Sequence, residues 1–191
     1  MTSETNTPEK FVVFDTEFTT WEGAHARNWS GPNEYREIVQ IAAAKVDGQT
    51  LEISDTFVRF VKPVKNPILS EYFINLTGIP QTQVDAEGIT YEQALQEFKQ
   101  WAEDLPNYCY GTDNLVMAEN CELIGITFPF LQTQFHDVRK VFQNQGIPAE
   151  KYMSSTIVEA FGAKPTRRGH DALNDVKTII DGLKLLRKKT S

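Results

Sequence analysis

Asp15 and Glu17 close the stretch Phe11-Val12-Val13-Phe14-Asp15-Thr16-Glu17, where four apolar residues run directly into two carboxylates separated by one residue. Such a run reads as a central strand buried on both faces, because it offers no solvent side. Side chains i and i+2 of a strand share a face, so the two carboxylates project together from one edge of a dry sheet. Unpaired there, they repel each other and lose hydration, a cost that bound cations remove. Hard divalent ions with oxygen ligands, Mg²⁺ or Mn²⁺, suit such a pair. The competing reading is a strand that ends in a polar turn, with Asp15 capping it. Asp113 follows a short strand and opens a helix, where plain capping is equally at home. His170 and Asp175 open the last helix in GHDALND, and a helix-start histidine is the plain alternative there.

Several elements must position these groups. Residues 1–10 are polar and read as a disordered leader, leaving 11–191 as a single domain. Trp21–Tyr35 has no period and reads as a long loop leaving the carboxylate edge. There Trp21 and Trp29 either line a substrate groove or pin the loop to the core. Glu37–Val46 and Leu51–Val61 read as antiparallel strands about an Asp47-Gly48 turn. Ser70–Ile79 is a short capped helix, and Thr90–Leu105 an amphipathic one with Thr90 and Gln93 as a capping box. Tyr108–Gly111 is a strand, and Asn114–Ile124 and Val138–Gln145 are helices. A further helix capped by Ser154 or Ser155 ends near Gly162, and the last one begins near His170. Lys164, Arg167 and Arg168 form a basic turn between them. Gly169 gives His170 mobility. The pattern is an α/β layered sheet of mixed direction.

The 191 residues carry 40% hydrophobic and 24% charged residues, ordinary values for a globular chain. No apolar run approaches a membrane span, and the polar start is not a signal peptide. Cys109 and Cys121 lack metal-ligand spacing and read as reduced core thiols of a cytoplasmic protein. The net charge of −7 argues against a sequence-independent binder of long duplexes, which needs a basic face.

FDTEF, YGTD before a helix, and GHDALND resemble, in order and spacing, the three motifs of the DEDDh 3′–5′ exonuclease superfamily. The resemblance runs from about Phe11 to Leu186. It implies an α/β fold with an RNase H-like mixed β-sheet of about five strands flanked by helices. It also implies a metal-dependent 3′–5′ exonuclease, a phosphodiester hydrolase that releases nucleoside 5′-monophosphates from short single-stranded RNA or DNA 3′ ends. Asp15, Glu17 and Asp175, with Asp113, would hold two Mg²⁺ or Mn²⁺ ions about 4 Å apart. His170 would be the general base. Its acidic surroundings should raise its pKa when metals are absent.

The segment LSEYFINLTGI is similar to the branch of small-RNA and histone-mRNA exonucleases and bacterial sporulation-inhibitor-like proteins. That likeness implies base contacts from Tyr72 and Leu76 and a substrate contact from Thr77. Thr16 and Phe18 flank the carboxylates, where the backbone could meet the terminal ribose. The branch often stacks an aromatic on the terminal base directly before the middle aspartate, and this chain has Thr112 there. A catalytically weak nucleic-acid-binding or regulatory protein of the same fold is the alternative, although a binder has no need of His170. A different metal hydrolase, such as a phosphatase, would not need the LTGI segment.

Overall fold

The computed structural model describes residues 8–190. Most of the expected leader, residues 1–7, lies outside them, and Lys10 at its end already belongs to the first strand. Five strands form one sheet: β1 (Lys10–Phe18), β2 (Ile38–Asp47), β3 (Ile53–Phe60), β4 (Asn107–Cys109) and β5 (Phe135–Asp137), in the order β3-β2-β1-β4-β5. β1 pairs antiparallel with β2 and parallel with β4, so the sheet is mixed and β1 is its centre. The helices are α1 (Glu71–Thr77), α2 (Gln81–Glu87), α3 (Tyr91–Ala102), α4 (Asp113–Ile124), α5 (Arg139–Gln143) and α6 (Ala172–Thr190).

The alternation of β1 decides which layer sees the carboxylates. Val12 and Phe14 enter a core with Tyr91, Leu95 and Phe98 of α3 and Val116 and Met117 of α4. Phe11 and Val13 enter the opposite core, with Phe142 of α5 and Val176, Ile179 and Leu183 of α6. Each fully buried aromatic or aliphatic side chain there stabilises the fold by about 1.5–3 kcal/mol. Asp15 and Glu17 continue the parity of Phe11 and Val13, so they face the layer that holds α6. The β1–β2 register shifts between Glu17 and Phe18, where the strand is leaving the sheet.

The structure departs from the sequence reading in local detail. The Asp47-Gly48 signal marks a turn longer than a two-residue hairpin. Asp47 Oδ1 accepts from the Gln49 and Thr50 amides at 2.9 and 2.7 Å, and β3 resumes only at Ile53. Thr90 accepts from the Gln93 amide as a cap should, but the Gln93 side chain donates to Glu97, so half the capping box forms. α2 follows Pro80 with no side-chain cap and buries only Val84, which left no amphipathic signal. The segment Ser154–Phe161 is a 3₁₀ helix rather than an α-helix, and Ser154 lies inside it. α6 begins at Ala172, two residues after His170. Among the described residues no helix is long and apolar enough to cross a membrane. Cys109 and Cys121 are buried and free.

Candidate metal-dependent nuclease site

Five residues widely separated in sequence meet where β1 runs off the sheet. Asp15, Glu17 and Asp175 are only 6%, 8% and 3% exposed. A ligand atom from each of Glu17, His170 and Asp175 lies within 4.8 Å of the others. Asp113 joins through the β1 backbone. β4 pairs with β1 only at Val12 and Val13, so the Thr16 amide has no strand partner on that side. Asp113, in the first turn of α4, takes its place, accepting from the Thr16 amide at 3.2 Å and the Thr16 hydroxyl at 2.6 Å.

α6 is seated by the sheet itself. Gln40, opposite Glu17 on β2, accepts from the Ala172 amide at 3.1 Å. Asp171 caps the helix through the Asn174 amide at 2.9 Å. These bonds aim Asp175 at β1. Ser154 donates its hydroxyl to Asp175 Oδ2 at 3.0 Å, while Asp175 Oδ1 is buried with no partner. A buried carboxylate oxygen without a donor is costly, and a cation would satisfy it. The all-oxygen donor set with one imidazole beside it fits Mg²⁺ or Mn²⁺.

Electrostatics point the same way. Burial raises the pKa of Asp15 well above the carboxylate range, helped by repulsion from Asp113, Asp175, Glu17 and Asp171. Glu17 is raised well above its usual value by burial and by Asp175, Asp113 and Asp171. Burial pushes Asp113 up to about 6 against the hydrogen bonds from Thr16. It pushes Asp175 up to about 6 against that from Ser154. Without cations the site favours protons.

His170 corrects two expectations. Its pKa is lowered, first by burial and then by the Arg168 guanidinium, not raised by the acids around it. Carboxylates held towards their neutral form have little charge with which to favour an imidazolium. The neighbouring glycine has a packing reason rather than a mobility one. A β-carbon on Gly169 would lie 2.7 Å from the Ser155 β-carbon, so only glycine lets the loop rest on the 3₁₀ helix. His170 itself sits at φ 61°, a left-handed backbone unusual outside glycine, just before α6.

The expected substrate contacts are placed unevenly. Tyr72 is 41% exposed and Leu76 half-buried, both on α1. Thr77 is 3% exposed, and its hydroxyl donates to the Phe73 carbonyl at 2.9 Å and accepts from the Ile79 amide at 3.1 Å. That hydroxyl finishes α1 and is spent inside the protein. Thr112 is exposed at the start of α4 and makes no capping bond with its side chain. Phe18 packs edge-on against Trp29 at 5.4 Å, with the Arg36 guanidinium 5.5 Å from the Trp29 ring. Trp29 thus pins the Trp21–Tyr35 loop to the end of β1. In the basic turn, Arg167 pairs with Asp181 at 2.5 Å, and Arg168 donates to backbone carbonyls of α1.

Sequence reasoning missed Gln40, Ser154 and Glu37. Glu37 is a buried carboxylate that accepts from the Val64, Lys65 and Asn66 amides at 2.6, 2.8 and 2.5 Å, folding the loop before α1. Its three amide partners lie 27 to 29 residues away, beyond any local pattern.

A family model described as Exonuclease matches residues 12–183. The chain belongs to the exonuclease family. Its motifs place it in the DEDDh 3′–5′ exonuclease superfamily, and solved DEDDh structures share its fold. The nuclease domain of 3′hExo, a DEDDh family member bound to rAMP, superposes with a TM-score of 0.80 at 26% identity, over 95% of this chain and 92% of that one. A 3′-exonuclease in a structure of histone mRNA stem-loop 3′-end recognition gives 0.79 at 25% identity, over 94% and 64%. Among curated relatives, the 3′-5′ exoribonuclease 1 of Mus musculus is 30% identical over 179 residues, 87% of this chain and 50% of its own. The chain spans about half the length of the first curated relatives it matches. The mixed sheet with flanking helices agrees with the RNase H-like expectation.

Proposed function

We propose that residues 11–191 form a single 3′–5′ exonuclease domain that removes nucleoside 5′-monophosphates from short single-stranded RNA or DNA 3′ ends, in the cytoplasm. The observation that carries this reading is the cluster of three buried carboxylates, Asp15, Glu17 and Asp175, repelled by one another and by Asp113, with half-buried His170 against Glu17 and Asp175. The solved relatives named above carry rAMP or recognise an RNA 3′ end, which supports a nucleotide substrate.

Asp15, Glu17 and Asp175, with Asp113, would hold two Mg²⁺ or Mn²⁺ ions. When bound, these ions supply positive charge for the scissile phosphate and acidify the attacking water. His170, with a pKa below the ordinary value, is neutral near pH 7 and can take the water proton. Thr16 orients Asp113 through its amide and hydroxyl. The exposed ring of Tyr72 and the side chain of Leu76 receive the terminal base, and the chain at Thr16 and Phe18 meets the terminal ribose. Exposed Thr112, directly before Asp113, offers no ring for a base to stack on, at a cost of about 1–3 kcal/mol of base affinity.

Digestion of 5′-labelled single-stranded RNA and DNA oligomers with Mg²⁺, Mn²⁺ or EDTA tests the assignment. A ladder shortening from the 3′ end, abolished by EDTA, is expected. Internal cuts, or binding without hydrolysis at saturating Mn²⁺, would refute it and favour a regulatory binder.

A further inference from the structure

Arg168 joins three parts of the site. Its Nη2 donates to the Asn75 and Leu76 carbonyls at 2.9 and 3.4 Å, in the last turn of α1. Its own carbonyl accepts from the Asn174 side chain at 3.2 Å, in the first turn of α6 beside Asp175. His170 follows two residues later. A helix C-terminus carries partial negative charge and spare carbonyls, which a guanidinium fork complements.

Gly78 shows that the end of α1 has room for that guanidinium. A β-carbon there would lie 2.4 Å from Arg168 Nη1, and the residue stands at φ 78° as the left-handed cap of α1. The other end of α1 is fastened to the carboxylate strand. Ser70, its N-cap, donates to the Thr20 carbonyl at 2.5 Å, just beyond β1. α1 therefore bridges from the chain that carries Asp15 and Glu17 to the loop that carries His170, and Arg168 is the second fastening.

We propose that Arg168 is a positioning residue that sets the His170 loop by reference to α1. A terminal base resting on Tyr72 and Leu76 then also steadies the imidazole. The proposal rests on the exonuclease reading above, because it takes His170 as the base and α1 as the base-binding helix. Arg168 is exposed, so its bonds contribute little to overall stability, and breaking them should act on catalysis. A small displacement of a proton acceptor is enough for a large rate effect.

The test compares the parent protein, Arg168→Ala and Arg168→Lys on a single-stranded RNA oligomer and on the same oligomer ending in an abasic 3′ residue. With the parent, loss of the base should lower kcat. Arg168→Ala should lower kcat on the ordinary oligomer by about 10-fold, with Mn²⁺ affinity and Tm unchanged. It should leave kcat on the abasic oligomer near the parent value, so the discrimination disappears. Arg168→Lys, keeping a donor without the fork, should lie between. Parent-like kcat in Arg168→Ala, an equal loss on both oligomers, or a loss explained by weaker Mn²⁺ binding would overturn the proposal. If the parent hydrolyses neither oligomer, the exonuclease reading falls and the coupling with it. The tie is then read from amide exchange across residues 164–170. Faster exchange in Arg168→Ala upholds the tie, and unchanged exchange overturns it.

Discussion

Ser154 donates to one oxygen of Asp175 at 3.0 Å, and the other oxygen of that carboxylate is buried without a partner. The hydroxyl fixes which oxygen is left for a cation. Partners of this kind typically account for about 10–100-fold in metal affinity or activity. Ser154→Ala should weaken Mn²⁺ binding by about 10-fold, and Ser154→Thr should largely restore it. A calorimetric Mn²⁺ titration measures both. Identical affinities in all three proteins would show that Ser154 does not orient the ligand.

Asp15→Asn is expected to reduce hydrolysis to below about 1% of the parent rate at saturating Mn²⁺. The metal-free protein should melt at the same or a higher temperature, because an amide removes one of the repelling charges around a buried position. Single-turnover assays and thermal melts in EDTA check the two halves. A stable, fully active Asp15→Asn enzyme would contradict the metal assignment.

The raised carboxylates give metal-free stability a definite pH dependence. Each binds its proton more tightly folded than unfolded, where the pKa is about 4. The fold therefore loses stability as pH rises from about 4 through about 6, the value for Asp113 and Asp175. Asp15 and Glu17 carry the loss to higher pH. In EDTA, Tm should fall between pH 5 and 8, and added Mg²⁺ should raise it more at pH 8 than at pH 5, where protons compete. Calorimetry showing the reverse order at either step would count against cation binding at these carboxylates.

For His170, the lowered pKa places the rising limb of the rate–pH profile below the ordinary histidine value of about 6.5. Bound cations push it in the same direction. His170→Ala should lower kcat by about 10²–10⁴-fold and lose that limb, with Mn²⁺ affinity little changed. Metal-acidified water ionises in the same region, so the informative quantity is the difference between the two profiles. If the alanine variant instead loses Mn²⁺, His170 is a ligand and not the base.

The central strand was legible because an unbroken apolar run has one use in an α/β sheet, and strand parity then put Asp15 and Glu17 on one face. Both ends of α1 and the start of α3 were legible from Ser70, Gly78 and Thr90, whose roles are local and chemical, whereas α3 stops at Ala102, short of the expected Leu105. β5 was not located, since three residues joined to β4 by parallel pairing carry no period. The set of four acids and one histidine was readable as types in order. What holds them was not. Thr16 reaches Asp113 across 97 residues, Ser154 reaches Asp175 across 21, and Gln40 reaches Ala172 across 132. Gly169 looked like freedom in the sequence and is close packing in the fold, a distinction that only the position of Ser155 decides.

The strand order has a consequence for the timing of folding. β1, β2 and β3 follow one another along the chain and pair as neighbours, so their meander can zip early. β4 pairs with β1 only after three intervening helices have been placed, and α6 must dock later still to deliver Asp175. Closing long loops is slow relative to local pairing. Competence to bind Mn²⁺ should therefore lag behind the packing of Trp101 of α3 against Phe57 of β3 in stopped-flow refolding, and simultaneous appearance of the two would contradict this order. Until the last helix docks, the chain is a folded scaffold without a cutting edge, and Asp175 is kept apart from the acids of β1 and α4 whose repulsion it will add to.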